Sequence, residues 1–450
     1  MEGRPAVTPR FTCDWIFNIL VVLCDGKVVC GCADPNGERP LGSLAESSLQ
    51  EIWRSEQARE IRRGLNAGYS PFCLPCGLKK PLPEDASAPE RPVDLEVLPR
   101  IFLEPTICCN LSCFEAVCSR ESGIIHTRTR KFFPLDEFRR VADEVGPRLV
   151  RLDFFNYGDP FVHPQAVEMV EYLKARYPGV YLYTSTNGLM LDEAKMRRLV
   201  AAGLDEITFS VDGADQETYG KYRRGGDFGQ VLDIMRTFVR LRNESGREVP
   251  FVNWRYIIFN WNDGRRQMAK ARRLAEKIGV DRFNWEITDH PAAAKSERYQ
   301  PGKPAWRKVY HEIWDSSQIG SALRRKRYAA HIRPVERMIL QNAGQPVRTA
   351  VRLKNTGGAV WLATSFSGRR LVRLGAQLYD DGGRLLDRDF ARAFLPAPLK
   401  HGESAEIVLE LPPAPAPGLY RVKFDLVAEG IDWFENGGSP VIWRPFVVRG

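Results

Sequence analysis

The stretch CCNLSCFEAVC, residues 108–118, sets Cys108, Cys109, Cys113 and Cys118 within one short segment. A thiolate is both a nucleophile and a soft metal ligand. Such crowding therefore has three chemical readings: a disulfide knot, a zinc site or an iron–sulfur cluster. The chain has 10 cysteines, and none lies beyond Cys118. That skew excludes a disulfide framework spread through the fold and argues for local metal sites in a reducing compartment. Structural zinc takes four ligands, commonly in paired C-x2-C knuckles, and the run Cys109, Cys113, Cys118 has no matching pair nearby. Three thiolates on one loop suit a cubane cluster whose fourth iron stays open to chelate a ligand. Six more cysteines come earlier: Cys13, Cys24, Cys30, Cys32, Cys73 and Cys76.

The elements around these thiols alternate in period. From Pro99 onward, RIFLEPT, LVRLDFFN, VYLYTS, EITFSVD, VNWRYIIFN and DRFNWEIT read as strands. Helical patterns separate them: LDEFRRVADEV, PQAVEMVEYLKARY, LDEAKMRRLVAAG, FGQVLDIMRTFVRLRN and GRRQMAKARRLAEKIG. Strands with helical crossovers imply a parallel sheet, and six units suit a partial (β/α)6 TIM-like barrel in an α/β fold. Chemistry on such a scaffold sits on the loops after the strands. The thiol segment follows the first strand, NYGDP the second and STNG the third. The fourth ends in Ser210 and Asp212-Gly213, the fifth at Asn260, the sixth at Thr288, Asp289 and His290. Asn-Gly and Asp-Gly are common turn residues, yet the joint pattern gathers small polar groups and thiols at one rim. Tyr157, Tyr183, Trp261 and Trp285 are candidates to line a cavity there, with plain packing as the ordinary alternative.

Outside the barrel, residues 1–80 hold a hairpin, FNILVVLCDGKVVCGC, and an amphipathic helical stretch; Cys24 reads as a buried strand thiol. Residues 81–98 are linker-like, and the barrel is expected over 99–292. Residues 293–343 read as a basic helical connector. Short alternating strands over 344–450 predict an all-β sandwich. With 450 residues and 44% hydrophobic content the chain is long enough for several packed domains. No apolar run approaches the ~18 residues of a membrane span. The run Trp15–Leu23 reads as a buried strand rather than a signal peptide, and a cytoplasmic location is expected. A formal charge of +9 is mild at this length, and no nucleic-acid signature accompanies the basic stretch 295–337.

The segments EPTICCNLSC with a third cysteine, GDPFVHP, TSTNGLML and SVDGADQETYGKYRRGGDF occur in an order that resembles the radical S-adenosylmethionine (SAM) superfamily over about residues 100–290. The resemblance implies that Cys109, Cys113 and Cys118 hold a [4Fe–4S] cluster whose fourth iron is chelated by SAM. It implies that Gly158 and Asp159 receive the SAM amino group, that Ser185, Asn187 and Ser210 contact its methionine and ribose portions, and that Arg223 pairs with its carboxylate. This chain departs from the family in two places. Its spacing is C-x3-C-x4-C where C-x3-C-x2-C is usual, with Cys108 as a possible substitute ligand, and Asp159 stands where the family usually has Glu.

Residues 11–78, from the hairpin through LGSL and the helix to CLPCG, resemble the SPASM/Twitch auxiliary-cluster module, here ahead of the barrel instead of after it. This implies one auxiliary [4Fe–4S] cluster on Cys13, Cys32, Cys73 and Cys76, with Cys30 competing for the place of Cys32 and structural zinc as the alternative. The C-terminal segment, with LYRVKFDLVAEGIDWFENGG, is similar to immunoglobulin-like appendages of bacterial surface-glycan proteins. Trp433 and Phe434 there either stack on sugars or close the core. Together these resemblances imply an oxidoreductase or mutase. It would cleave SAM reductively to a 5′-deoxyadenosyl radical and abstract hydrogen from a small-molecule, glycan or peptide substrate. An external one-electron donor such as flavodoxin or ferredoxin would feed it. The competing readings are a catalytically degenerate glycan-binding or scaffold protein and an RNA-modifying enzyme.

Overall fold

The computed structural model describes residues 9–83, 86–116, 120–247, 249–313, 321–323, 328–357, 359–364, 371–429 and 432–450. Cys118 lies outside the described residues. The chain divides into two compact units, Met1–Arg255 with Thr288–Lys295, and Tyr256–Ile287 with Ser296–Gly450.

In the first unit, the strands Arg100–Leu103, Arg151–Phe154, Tyr181–Thr186 and Glu206–Ser210 pair in sequence order, and Glu206–Ser210 pairs with Phe251–Arg255 of the next strand. Every pairing is parallel, so the strands end on one edge. Helices Leu135–Val145, Ala166–Arg176, Glu193–Ala202 and Phe228–Glu244 fill the crossovers. Aspartates at the N-caps set where helices begin: Asp192 accepts from Lys195 N at 2.8 Å and Asp227 from Gln230 N at 2.8 Å. Side chains alternate across a strand. Phe154 and Phe209 meet Phe138 and Phe238 of the helices. The alternate residues form a polar opposite face: Arg100 and Arg151 both bond Asp153, Tyr181 donates to Glu206 at 2.6 Å, and Asn253 donates to Thr208 at 3.1 Å.

The N-terminal segment joins this sheet. Strand Ile19–Val22 runs parallel to Arg100–Leu103 and turns antiparallel into Lys27–Val29, which pairs with Gly42–Ser43. The run Trp15–Leu23, expected as one strand, opens with a helical turn at Trp15–Asn18, which buries Ile16 and Phe17. Ser48 and Glu51 form a capping box at helix Leu49–Trp53. Helix Glu56–Asn66 follows and buries Ala58, Ile61, Arg62 and Leu65.

One carboxylate ties the hairpin to the first parallel strand. Glu104 accepts from Cys24 N at 3.1 Å, Arg128 Nε at 2.9 Å and Asn156 Nδ2 at 3.2 Å. The Glu104 and Arg128 side chains are both fully buried. Cys24 is buried here, with its thiol donating to Arg130 O at 3.2 Å; burial, reinforced by Glu104, pushes its pKa far up.

In the second unit, Arg282–Ile287 follows the end of Phe251–Ile258 in the strand order, and helix Arg265–Ile278 lies between them in sequence. Among the described residues of 293–343, expected to be helical, there is one short α-helix, Pro304–Val309, flanked by single 3-10 turns. The same stretch also contains the strands Ala330–Pro334 and Ile339–Asn342. Ala330–Pro334 alternates buried and exposed residues and pairs with Val347–Asn355, so period two outweighs the helix-friendly composition. Beyond it lie two sheets. One orders Ala330–Pro334, Val347–Asn355 and Ser404–Leu411; the other orders Ile339–Asn342, Ile442–Arg449, Gly418–Ala428, Val372–Asp380 and Leu385–Phe394. Phe434 is 2% exposed and packs on Trp361, which closes a core; Trp433 has Arg392 stacked 4.4 Å from its ring and leaves no room for a side chain at Gly375. Among the described residues no helix is long and apolar enough to cross a membrane.

Removing one partner of a buried ion pair strands the other charge. Glu104→Ala is expected to lower stability by about 3–5 kcal/mol, read as a drop in the urea midpoint. An unchanged midpoint would mean that the hairpin is held elsewhere.

Candidate functional site

The thiol loop leaves the first parallel strand and is pinned by backbone bonds. Cys108 O accepts from Asp159 N at 2.9 Å, Phe114 N donates to Tyr222 O at 2.9 Å, and Ser112 N to Arg224 O at 3.2 Å. Gly158 makes the first contact possible: a Cβ there would lie 2.2 Å from Thr106 O and 2.6 Å from Cys108 O. His290 Nε2 sits 2.9 Å from Glu115 O, which makes it a loop tie.

Within the loop, Cys113 is buried, while Cys108 and Cys109 are half-buried. Cys109 Sγ faces Leu111 N at 3.5 Å and Asn187 Nδ2 at 3.7 Å; Cys113 Sγ faces Arg223 Nη1 at 3.6 Å. N–H groups that face a sulfur complement the negative charge of a metal-bound thiolate. The residues therefore fit a thiolate-held cluster at Cys109 and Cys113.

The other expected site residues converge on the same edge. Asp159 is 4% exposed; its carboxylate accepts from Thr186 Oγ1 at 2.8 Å, Asn187 N at 2.8 Å and Phe161 N at 3.1 Å. Burial pushes its pKa up, opposed by these donors. The shorter acid thus joins the second and third loops through its side chain. Asn187 Nδ2 also donates to Asn110 Oδ1 at 2.8 Å, so the STNG turn touches the thiol loop. Ser185 Oγ and Ser210 Oγ are 3.3 Å apart. Arg223 Nε donates to the buried Asp212 carboxylate at 2.6 Å. Sequence reasoning missed Arg255, whose Nη2 donates to Ser210 Oγ at 2.7 Å on the polar face. Its signal was the one charged residue in the strand Phe251–Ile258. Tyr183 lies on that face too, bonded to Thr208 at 3.2 Å. In the second unit Trp285 is fully buried against Phe283 and Tyr256, and Trp261 stacks on Phe259, so both are packing residues.

A second thiol set lies in the N-terminal module. Cys13, Cys30, Cys73 and Cys76 line one cavity of about 480 Å³, mouth included, together with Trp15, Phe72, Arg39 and Lys79. Cys32 is not on its lining. Burial pushes the Cys13 and Cys30 thiols up and Cys73 to about 11. Among the described residues no three potential ligands are drawn tightly enough to hold a single ion, and no disulfide forms. Four thiols ringing a cavity fit a multi-iron cage better than one zinc with sulfurs at about 2.3 Å. Cations border the cage. Arg62, fully buried, donates to the carbonyls of Ile16, Trp53 and Val93, and burial lowers its pKa to about 10. Arg39 donates to Phe72 O at 2.7 Å and Lys79 to Cys76 O at 2.7 Å. These charges suit an anionic thiolate cluster.

Gly158→Ala is expected to push the thiol loop off the second loop, because both clashing atoms are backbone. Overpacking of this kind costs about 1–3 kcal/mol. Iron retained after anaerobic reconstitution should fall, while the far-ultraviolet circular dichroism stays native; full iron retention would show that the contact is dispensable.

Residues 103–252 match the model of the Radical SAM superfamily, and residues 13–77 match that of an iron–sulfur cluster-binding domain, SPASM. The chain is 27% identical over 190 residues to the tungsten-containing aldehyde ferredoxin oxidoreductase cofactor-modifying protein of Pyrococcus furiosus, covering 40% of this chain and 49% of that protein. It is 32% identical over 158 residues to the GTP 3′,8-cyclase of Chlorobaculum tepidum, covering 32% and 46%. With the mycofactocin maturase MftC of Mycobacterium ulcerans it shares 30% over 132 residues, covering 29% and 33%. The chain thus spans about half the length, or less, of these relatives. Among solved structures, Streptococcus suis SuiB bound to S-adenosylmethionine aligns with a TM-score of 0.35 at 12% identity, covering 44% of this chain and 43% of that one. The chain carries a Radical SAM domain, which implies a [4Fe–4S] cluster and SAM, preceded by a SPASM domain, which implies auxiliary iron–sulfur binding.

Proposed function

We propose that the protein is a radical SAM enzyme that cleaves SAM reductively and abstracts hydrogen from a carbohydrate or peptide substrate, with one auxiliary [4Fe–4S] cluster. The observation that carries this reading is the pair of sulfurs, Cys109 and Cys113, each faced by an N–H donor, at the strand edge that also carries the Asp159–Asn187 and Ser185–Ser210 pairs. Cys118 would complete the ligand set. When bound, the cluster and SAM supply a one-electron cleavage that yields a 5′-deoxyadenosyl radical.

The chain's own residues bind and orient. Asp159 and Gly158 hold the thiol loop against the third strand's turn. Arg223 offers its guanidinium to the SAM carboxylate, since the planar fork suits that anion, and Ser210, held by Arg255, contacts the methionine or ribose portion. Arg223, already bonded to Asp212, acts beside Cys113. The polar inner face, with Tyr183, Thr208 and Asn253, offers hydrogen bonds to a polar substrate. The matched relatives are named for different substrates, a nucleotide cyclase among them, so the choice between sugar and peptide rests on neither. A partial barrel and an immunoglobulin-like C-terminal sandwich complete the proposed architecture, and an external flavodoxin- or ferredoxin-type donor supplies electrons.

For the auxiliary cluster we assign Cys13, Cys30, Cys73 and Cys76, with Cys30 in the place expected for Cys32, because Cys30 is the one on the cavity wall.

Two experiments test the reading. Anaerobically reconstituted protein should hold about eight irons per chain, two four-iron clusters, and release 5′-deoxyadenosine from SAM under reductant. Cys113→Ala should abolish that release, and a colourless preparation that holds zinc would overturn the reading. Cys30→Ala should lose about four irons while Cys32→Ala keeps them; the reverse result would return the fourth ligand to Cys32.

A further inference from the structure

Two thiol sets that are far apart in sequence are joined by one side chain. Tyr157 directly precedes Gly158, whose backbone lies against Cys108. Its hydroxyl donates a hydrogen bond to the main-chain carbonyl of Cys32. Cys32 is two residues from Cys30 on the auxiliary cavity, and its thiol interacts electrostatically with Cys76 on the same wall. Between the sites every step is therefore a covalent bond or a hydrogen bond. The path runs from Cys108 O to Asp159 N, through Gly158 to the Tyr157 ring, across the phenol to Cys32 O, and along Gly31 to Cys30.

The surroundings hold this side chain still. The Arg128 guanidinium lies 6.0 Å from the centre of the Tyr157 ring, and Arg128 is locked by Glu104. The neighbouring Asn156 bonds the same carboxylate at 3.2 Å. Burial, helped by the Cys32 thiol, pushes the phenol pKa far above its usual range, so the group remains a protonated donor. Gly31 allows the turn between Cys30 and Cys32 to pack closely: a Cβ there would lie 2.7 Å from Leu78 Cδ1.

We propose that Tyr157 is the electron link between the two iron–sulfur sites. One electron passes along it. With both clusters bound, the one of lower potential would lose one electron and the other would gain it, with no proton moved. This rests on the two-cluster reading above. Tyr157 acts as a positioning residue that closes a tunnelling path, and it is itself neither oxidised nor reduced.

The test uses the full-length, anaerobically reconstituted protein carrying Tyr157→Phe, which keeps the ring and removes the donor. Iron per chain should equal that of the unsubstituted protein. After rapid mixing with less than one equivalent of dithionite, freeze-quench electron paramagnetic resonance follows how fast the electron distributes between the two clusters. Loss of the hydrogen-bonded step should slow that redistribution relative to the unsubstituted protein. An unchanged rate overturns the proposal. So does a loss of iron in Tyr157→Phe, which would make the phenol a prop of the auxiliary cavity. Cys32→Ala retains the accepting carbonyl and should leave the rate unchanged; a slowing equal to that of Tyr157→Phe would overturn the carbonyl route. If the unsubstituted protein shows only one cluster signal, the two-cluster reading fails and the link has nothing to join.

Discussion

The close approach of the Gly158–Asp159 turn to the carbonyl of Cys108 is the constraint on which the site depends. It needs a residue without a side chain at 158, because the atoms it meets are backbone and cannot rotate away. Once that turn is seated, Asp159 reaches the third loop through Thr186 and Asn187, and Asn187 returns to the thiol loop through Asn110 and Cys109. A closed ring of contacts over three loops fixes two sulfurs whose own segment has little regular structure. Preorganisation of this kind is what a cluster site requires, since loose thiols do not define a coordination geometry.

The same logic extends to the N-terminal module. Its hairpin adds to the parallel sheet beside the first strand, and Glu104 binds the hairpin, Arg128 and the second loop with one carboxylate. Placing the module ahead of the parallel strands therefore does not leave it on a free tether: strand pairing and a buried ion pair dock it. The auxiliary cavity and the thiol loop then share a single continuous unit.

Much of this was legible in the sequence because the signals are local. Strand and helix periods marked the alternation, and the motifs CCNLSC, GDP, STNG and SVDG fell after successive strands as a parallel sheet demands. Three features were not legible. Whether Cys30 or Cys32 faces a cavity depends on how a two-residue turn at Gly31 is oriented, which spacing does not determine. The role of Arg255 depends on strand register, since Ser210 and Arg255 meet only because Glu206–Ser210 pairs with Phe251–Arg255. The helical expectation over 293–343 followed a basic, alanine-containing composition, but pairing with distant strands decided the conformation of Ala330–Pro334 and Ile339–Asn342. The Arg223–Asp212 bond is a further contact that the motif did not announce, since it depends on how the loop after Ser210 folds back.

The most direct measurement is Mössbauer spectroscopy of the full chain reconstituted with ⁵⁷Fe, recorded before and after addition of SAM. The proposed site predicts two four-iron clusters, one of which has a single iron whose isomer shift changes when SAM binds. Spectra that show no four-iron cluster, or clusters whose every iron is indifferent to SAM, would contradict it.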